Sequence, residues 1–330
     1  MSPADRLILA LPSKGRLQEQ ALEYFADCGL SVRKTGGERG YSADMPGAAD
    51  VDVRLMSASE IAGALQAGSI HLGVTGEDLL RETVGALDGV IGLIKPLGFG
   101  FADLVVAAPQ GWVDVTTMAD LDEVCVAHRA RTGRRLRAAT KYRTLTRRFF
   151  ADHEISDYRI VDSLGATEGT PAAGVAEVIV DIKTTGRTLA ANHLKILNDG
   201  VILKSQAQLA AALTAPWSAP VLSALERLLD VIEALARARR GQTIQARAPE
   251  TQPQQTIVET LISDAAITTI DAGAVSGRLT LFCPTAGLAT ACRALEQAGL
   301  GPVLAQDARY VFASPNPLWR AFRVAAGETA

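Results

Sequence analysis

One short segment combines residue types that can bind a phosphate monoester. A β-branched run beginning at Val178 ends in a carboxylate, Asp181, and a helix is expected to open near residue 187. The loop supplies hydroxyl, glycyl and cationic groups, namely Lys183, Thr184, Thr185, Gly186, Arg187 and Thr188. A strand–loop–helix turn aims backbone N–H groups and a helix dipole at one spot, and glycine admits an anion closely. We interpret this as a phosphate cradle, with Asp181 placed for a sugar hydroxyl. The alternative is an ordinary turn with capping threonines.

Two other places carry charged groups suited to the same kind of ligand. Lys14 and Arg16 flank Gly15 in a strand-to-helix loop, where the helix dipole disfavours cations. Because guanidinium binds phosphate in a bidentate way, we interpret the pair as phosphate ligands rather than as exposed cations. Glu168 lies in a glycine-containing turn. It is a candidate for binding a ribose diol, or alternatively a first-turn helix acid favoured by the dipole.

A basic segment between residues 129 and 148 has three possible roles. Its nine cations are Arg129, Arg131, Arg134, Arg135, Arg137, Lys141, Arg143, Arg147 and Arg148, and no acid interrupts them. A nucleic-acid patch, a solvated basic face and a wall for a polyphosphate substrate remain open. Aromatic residues are not interleaved through the segment, so it lacks a stacking platform and nucleic acid is the least favoured of the three.

Composition narrows the class of protein. The chain has 330 residues, 48% of them hydrophobic and 5% aromatic, with a net charge of −3. These values fit an α/β protein of two or three domains and give no reason to expect binding to nucleic acid or to a membrane. The cysteines Cys28, Cys125, Cys283 and Cys292 have no metal-ligand spacing. We therefore expect free thiols in a cytoplasmic protein.

The elements that must position these groups form two similar runs. Strand and helix patterns alternate from residue 7, which predicts a mostly parallel sheet with helices on both faces. A second run starts at residue 104, with strands predicted at 124–127, 136–140 and 158–161. We expect residues 1–103 and 182–240 to form lobe I and residues 104–181 to form lobe II. A ligand site is expected between the lobes, at the carboxyl ends of the strands.

The last third of the chain predicts a separate small domain. An amphipathic helix at 220–239 precedes it. Within 241–330 the pattern reads βαββαβ, a ferredoxin-like or ACT-like order. The predicted strands are 243–246, 267–270, 279–283 and 310–313, and the predicted helices are 254–263 and 287–299.

Several sequence blocks, in order, resemble one enzyme family. They are Leu11-Pro-Ser-Lys-Gly-Arg-Leu17, Leu72-Gly-Val-Thr-Gly-Glu-Asp-Leu79, Leu97-Gly-Phe-Gly100, Ala139-Thr-Lys-Tyr142, and the segment 176–192. The chain resembles ATP phosphoribosyltransferase, the first enzyme of histidine biosynthesis. The resemblance implies a two-lobed catalytic core like a type II periplasmic binding protein. It also implies transfer of phosphoribosyl from phosphoribosyl pyrophosphate (PRPP) to N1 of ATP, with substrate-bound Mg²⁺.

The same resemblance assigns roles to individual residues. Residues 184–188 would hold the 5′-phosphate of PRPP, with Asp181 and Glu168 on the ribose hydroxyls. Lys14 and Arg16 would meet the pyrophosphate or the ATP phosphates. Three further residues would contact ATP or pyrophosphate, namely Arg39, Thr75 and Gly76. A homo-oligomer, histidine as an inhibitor and a separate regulatory subunit are also implied as possible partners.

Two other functions remain open from the sequence. The bilobal core could be a phosphate-ester-binding or regulatory module without catalysis. The chain could also be a phosphoribosyltransferase of the common single-domain type, whose PRPP motif usually has two adjacent acids. Here Val180 precedes Asp181, and the loop at Lys14 would be unexplained.

Overall fold

The structure is a computed structural model that describes residues 5–35, 42–163, 165–183, 186–264, 267–272 and 276–328. The predicted ligand residues Arg39, Thr184 and Thr185 lie outside these ranges. The chain divides into two compact units, one comprising Met1–Ala224 with Ala321–Ala330, the other Leu225–Arg320.

The first unit contains two sheets and their helices. Its strands are β1 (Leu7–Pro12), β2 (Arg33–Thr35), β3 (Ser42–Asp44), β4 (Val51–Met56), β5 (Leu72–Gly76), β6 (Ile91–Pro96), β7 (Ala102–Pro109), β8 (Leu136–Thr140), β9 (Tyr158–Asp162), β10 (Val178–Lys183), β11 (Leu194–Ser205) and β12 (Ala207–Ala212). Its helices are α1 (Gly15–Asp27), α2 (Ala58–Gln66), α3 (Glu77–Val84), α4 (Met118–Thr132), α5 (Arg143–Asp152), α6 (Arg187–Ala191) and the start of α7 (Ala219–Ala238).

The two sheets repeat one topology. The first has the order β2-β3-β4-β1-β5-β12-β6 and the second the order β11-β7-β10-β8-β9. In the first sheet β1 is parallel to β4 and β5, while β12 is antiparallel to β5 and β6. In the second, β8 is parallel to β9 and β10, while β7 is antiparallel to β10 and β11. In lobe I, β3 is also antiparallel to its neighbours β2 and β4. β7 and β12 are each the first strand after the chain has crossed from the other lobe. This repetition confirms the predicted two-lobed α/β core.

The chain crosses between the lobes at residues 97–101 and again at Gln206. The two crossings are hydrogen-bonded side by side, since the Leu97 amide donates to the Ala207 carbonyl at 3.0 Å and the Ala207 amide to the Phe99 carbonyl at 2.9 Å. The predicted return near residue 182 was wrong, because β11 pairs with β7 and stays in lobe II. Lobe II therefore extends to Ser205.

Each sheet is covered by apolar helix faces. In lobe I, Ile61 and Leu65 of α2 pack over β5, where a Cβ on Gly73 would lie 2.5 Å from the Ile61 side chain. In lobe II, Phe150 and Cys125 are fully buried in the core. These packed faces leave the loops at the strand ends free to carry polar groups.

The predicted strand at 124–127 was wrong. These residues lie within α4, which begins after Thr117 in a capping box with Asp120 and ends at Gly133. A four-residue apolar run cannot distinguish a strand from a helix by itself. The cap and the glycine are local signals that favour the helix.

The second unit has the predicted βαββαβ order. Its elements after α7 are β13 (Gly241–Arg247), α8 (Gln252–Asp264), β14 (Thr268–Asp271), β15 (Arg278–Pro284), α9 (Leu288–Gln297), β16 (Leu304–Gln306) and the start of α10 (Pro317–Ala325). The sheet order is β14-β15-β13-β16, and every pairing among these described strands is antiparallel. This arrangement matches the predicted ferredoxin-like class.

The final strand of this unit was predicted at the wrong place. The strand that pairs with β13 is Leu304–Gln306, not 310–313. Residues 310–313 form a short apolar and aromatic run, yet the Val311 amide donates to the Ala234 carbonyl of α7 at 3.0 Å. Val311 is buried with Phe282.

No helix in the described part of the chain is long and apolar enough to cross a membrane.

Candidate active site

The carboxyl ends of the parallel strands carry the candidate residues. In lobe I, β1, β4 and β5 end at Pro12, Met56 and Gly76. In lobe II, β8 and β10 end at Thr140 and Lys183. Open parallel sheets bind ligands at this edge.

Asp181 lies on β10 in a half-buried position and forms the centre of a charged cluster. Burial raises the pKa of its carboxyl above the usual value. A hydrogen bond from the Ile182 amide to Oδ1, at 2.8 Å, and the charge of Lys141 oppose that rise, whereas the charge of Glu168 adds to it. Asp181, Glu168 and Lys141 therefore share one site.

A short turn holds Glu168 in that site. Ala166 has φ +47° and ψ 42°, a left-handed conformation that is costly for alanine. The buried Thr167 hydroxyl donates to the Ser163 hydroxyl at 2.9 Å, and the Gly169 amide donates to the Ala166 carbonyl at 3.0 Å. Non-glycine residues in this conformation cluster at functional sites. Hydrogen bonds made by the residues before and after Glu168 therefore fix the backbone that carries it.

The predicted phosphate loop ends in a glycine whose positive φ disfavours other residues. Gly186 has φ +75° and precedes α6, and no side chain caps that helix. Helix-start amides without a capping side chain suit an anion. Arg187 and Thr188 are exposed at this start. Lys183 Nζ lies 3.7 Å from Oδ2 of Asp103, across the β10–β7 pair.

The Lys14 loop lies at the strand ends of lobe I. The Ser13 amide donates to the Met56 carbonyl at 2.8 Å, which joins the ends of β1 and β4. Lys14 and Arg16 are exposed, and Gly15 between them has φ +73°. Among the described residues, no recorded contact joins Lys14 or Arg16 to Asp181. The structure therefore places the pair at the strand ends of lobe I.

Contacts within the protein explain why a threonine occurs at position 75 and a glycine at position 76. The buried Thr75 hydroxyl donates to the Ala58 carbonyl at 2.8 Å. A Cβ on Gly76 would lie 2.3 Å from Oδ1 of Asp78. The Thr75 hydroxyl is thus engaged at the start of α2, and Gly76 leaves space for a carboxylate.

Four of the nine cations of the basic segment face acids. Arg129 and Arg135 face Asp157, while Arg137 and Arg143 form ion pairs with acids on neighbouring elements. These pairs favour a solvated basic face over a continuous polyphosphate wall. Lys141 differs from them, because its ammonium lies 5.1 Å from the Tyr142 ring centroid and acts on Asp181.

Sequence reasoning did not single out Lys141 or the buried groups around Tyr142. The position of Lys141 is the one feature of the sequence that could have identified it, because it is the first residue after β8 ends. Asp78 and Ser205 gave no such signal, because Asp78 bonds Tyr142 and Ser205 only through long-range contacts.

Comparisons with known proteins agree with this geometry. A family model described as HisG: ATP phosphoribosyltransferase matches residues 57–234. An ATP phosphoribosyltransferase of Caulobacter vibrioides (strain NA1000 / CB15N) is 54% identical over 308 residues, covering 93% of this chain and 94% of that protein. Another, of Rhodopseudomonas palustris (strain HaA2), is 48% identical over 317 residues, covering 94% and 96%.

One solved structure shares the fold of the core. A chain of the ATP phosphoribosyl transferase (HisG:HisZ) complex from Thermotoga maritima aligns with a TM-score of 0.52 and 26% identity. The alignment covers 69% of this chain and 98% of that chain. The sequence matches, the two-lobed core and the carboxylate cluster beside the Gly186 loop lead to one conclusion: the chain belongs to the ATP phosphoribosyltransferase family.

Proposed function

We propose that the chain transfers the phosphoribosyl group of PRPP to N1 of ATP and releases pyrophosphate, the first step of histidine biosynthesis. The observation that carries this proposal is the grouping of Asp181, Glu168 and Lys141 at the end of β10, next to the loop that ends at Gly186. Family membership supplies the reaction, and this grouping supplies the place for the ribose.

The proposed mechanism depends on positioning and charge. N1 of adenine already has a lone pair, so the bond from N1 to the ribosyl C1′ forms without a protein nucleophile. The bond from C1′ to the pyrophosphate oxygen breaks, and pyrophosphate leaves with the electron pair. The intervening state resembles an oxocarbenium ion, so orientation of the ribose and neutralisation of the leaving group dominate catalysis.

The residues divide this work between the lobes. We propose that the amides after Gly186, with the hydroxyls of Thr184, Thr185 and Thr188, bind the 5′-phosphate, and that Lys183 and Arg187 add positive charge. Asp181 and Glu168 accept hydrogen bonds from the ribose hydroxyls. The half-buried carboxylate of Asp181 is desolvated, so a hydroxyl donor would relieve its unfavourable environment.

We propose that cations from both lobes receive the phosphates. Lys141 would face the pyrophosphate from lobe II. Lys14 and Arg16 would approach the pyrophosphate or the ATP phosphates from lobe I. Arg39 keeps its proposed substrate contact. For Thr75 and Gly76 we favour a supporting role, because their contacts lie within the protein.

Mg²⁺ would be bound mainly by the substrate. Among the described residues, no group of three or more His, Cys, Asp or Glu side chains is arranged to hold a metal ion. Pyrophosphate oxygens are suitable hard ligands, and Mg²⁺ bound to them would neutralise charge on the leaving group. We propose that Asp181 and Glu168 are the carboxylates that approach it.

The assembly and regulation of the chain are also part of the proposal. We propose a cytoplasmic homo-oligomer whose βαββαβ unit serves regulation or assembly, with histidine as the candidate inhibitor. The Thermotoga maritima protein was solved as a HisG:HisZ complex, which makes a separate regulatory subunit the alternative. Titration of activity with histidine, together with a mass measurement in solution, separates the two.

The activity itself has a direct test. Purified protein mixed with PRPP, ATP and Mg²⁺ should release pyrophosphate and form an adduct with a new ultraviolet absorbance. A folded protein that binds PRPP in calorimetry but forms no adduct, even with a regulatory subunit supplied, would instead be a phosphate-ester-binding module.

A further inference from the structure

A buried carboxylate joins the two lobes. The Tyr142 hydroxyl donates to Oδ2 of Asp78 at 2.7 Å, and the Ser205 hydroxyl donates to Oδ1 at 2.8 Å. The Asp78 amide in turn donates to the Ser205 hydroxyl oxygen at 3.0 Å. Asp78, Tyr142 and Ser205 are only 6%, 1% and 3% exposed. Buried hydrogen bonds to a charged group are among the stronger ones in proteins.

The three residues come from three structurally distinct places. Asp78 lies in the first turn of α3 in lobe I, and Tyr142 immediately precedes α5 in lobe II. Ser205 ends β11, one residue before the chain crosses at Gln206. The carboxylate therefore connects both lobes with the crossing segment.

A second contact strengthens the same joint. Glu82 of α3 accepts the Thr144 amide at Oε1 (2.9 Å) and the Leu145 amide at Oε2 (3.0 Å). These amides belong to the first turn of α5, which has no side-chain cap from its own residue Tyr142. An acid of lobe I thus caps a helix of lobe II.

Tyr142 is fixed on every side and keeps its proton. Its amide donates to the Thr140 hydroxyl at 2.9 Å, and its carbonyl accepts the Thr146 amide at 3.0 Å. Burial, followed by the charge of Asp78, raises the pKa of the phenol well above its usual range. The hydroxyl therefore remains a donor at all ordinary pH values.

The joint lies next to the charged cluster. Lys141 directly precedes Tyr142, and its ammonium lies 5.1 Å from the Tyr142 ring centroid. Lys141 also acts on Asp181, which interacts with Glu168. Any change in the position of Tyr142 moves the attachment point of Lys141.

We propose that Asp78, Tyr142 and Ser205 form an inter-lobe latch that holds Lys141 beside Asp181 and Glu168 and fixes the angle between the lobes. Tyr142 and Asp78 are then positioning residues for phosphoribosyl transfer. The inference rests on the proposed function for its kinetic consequence, whereas the lobe angle is independent of the reaction.

The test uses Tyr142→Phe, which removes one hydroxyl, with Tyr158→Phe as the matched control. Tyr158 packs on Phe150 in lobe II, and no hydrogen bond of its hydroxyl is recorded among the described residues. Spin labels at Glu19→Cys on α1 and Glu123→Cys on α4, in a Cys292→Ala background of the full chain, report the distance between the lobes.

For Tyr142→Phe we expect kcat to fall by about tenfold or more, the change that loss of one charged hydrogen bond gives. PRPP affinity by calorimetry should change by less than about threefold, and the interlobe distance distribution should broaden. Ser205→Ala should broaden it too, and Tyr158→Phe should match wild type. Wild-type kcat and an unchanged distribution in both latch variants would overturn the latch.

Different results would refute the proposed function and the latch. If wild-type protein forms no adduct, the proposed function fails, and the distance measurement still decides the latch. If Tyr142→Phe does not fold, Ser205→Ala carries the test alone, because it removes a smaller group from the same carboxylate. A broadened distribution with wild-type kcat would overturn the positioning role.

Discussion

A β-carbon on Gly76 would lie 2.3 Å from Oδ1 of Asp78, a separation that real structures essentially never show. The backbone at Gly76, with φ −69° and ψ 141°, is open to any residue. Glycine is required here because the Asp78 carboxylate folds back over it to reach Ser205. The identity of one residue therefore depends on the side chain two positions later.

Gly76→Ala should displace the Asp78 carboxylate and weaken its bonds to Tyr142 and Ser205. We expect a loss of about 1–3 kcal/mol in the free energy of unfolding, as for a disrupted buried hydrogen bond, and a fall in kcat. Gly63→Ala is the matched control, because in the described part of the chain no atom outside the backbone of α2 itself lies within 4 Å of its added Cβ. That control should gain up to about 1 kcal/mol. Equal chemical denaturation curves for Gly76→Ala and wild type would contradict the packing argument.

Asp181→Asn should lower turnover strongly without destabilising the fold at neutral pH. Because burial raises the pKa of Asp181 in the folded state, its protonated form contributes stability below the unfolded pKa near 3.8. That contribution is lost as pH rises through the higher folded pKa. The neutral amide avoids this loss, so the variant should melt at or above the wild-type temperature at pH 7.

Melting curves from pH 7 down to pH 4 should show this advantage shrinking as Asp181 becomes protonated. Turnover should fall about 100-fold or more, as for loss of one group that stabilises a transition state. A variant that is less stable at pH 7 and retains activity would make Asp181 a structural residue.

Gly186→Ala should weaken PRPP binding specifically. Gly186 has φ +75°, and among the described residues other than its chain neighbours no atom lies closer than 3.9 Å to an added Cβ. We therefore expect the change to cost mainly backbone strain of about 1–2 kcal/mol. Gly133→Ala at the end of α4 carries similar strain, with φ +70° and no described atom beyond its chain neighbours within 4 Å of an added Cβ. Both variants should lose similar stability, but only Gly186→Ala should raise the KM for PRPP, by about tenfold. Equal KM values in the two variants would remove this turn from the site.

Lys141→Met should lower kcat, whereas Arg131→Met should not. Lys141 acts on Asp181 and follows β8 at the site, while Arg131 is exposed in the last turn of α4. Removing the first cation should cost about tenfold or more, since we propose that it faces developing charge on the leaving group. Steady-state kinetics at fixed ionic strength measure both. A similar loss in both variants would mean that the basic segment acts through its overall charge.

The parts of the fold that follow local patterns were predictable. Ser57 and Glu60 form a capping box at the start of α2, a contact between residues three apart, and the helix predicted at 220–239 is α7. The return crossing was missed because β11 is interrupted by register shifts and pairs with β7. Its alternation is therefore irregular, and only the long-range pairing identifies its lobe.

The site residues were likewise predictable only where they lie close together in the sequence. The loop at Gly186 and the acid at Asp181 lie within one stretch of sequence, so residue types and order were enough to find them. The latch could not be predicted from the sequence, because Asp78 bonds Tyr142 and Ser205 at sequence separations of 64 and 127 residues. Local propensity carries no information about such pairs.

A crystal structure of the protein with PRPP tests the central claim most directly. It should show the 5′-phosphate on the backbone amides after Gly186 and the ribose hydroxyls within hydrogen-bond distance of Asp181 and Glu168. PRPP bound at another place, with that turn unoccupied and Asp181 still without a ligand partner, would contradict the account.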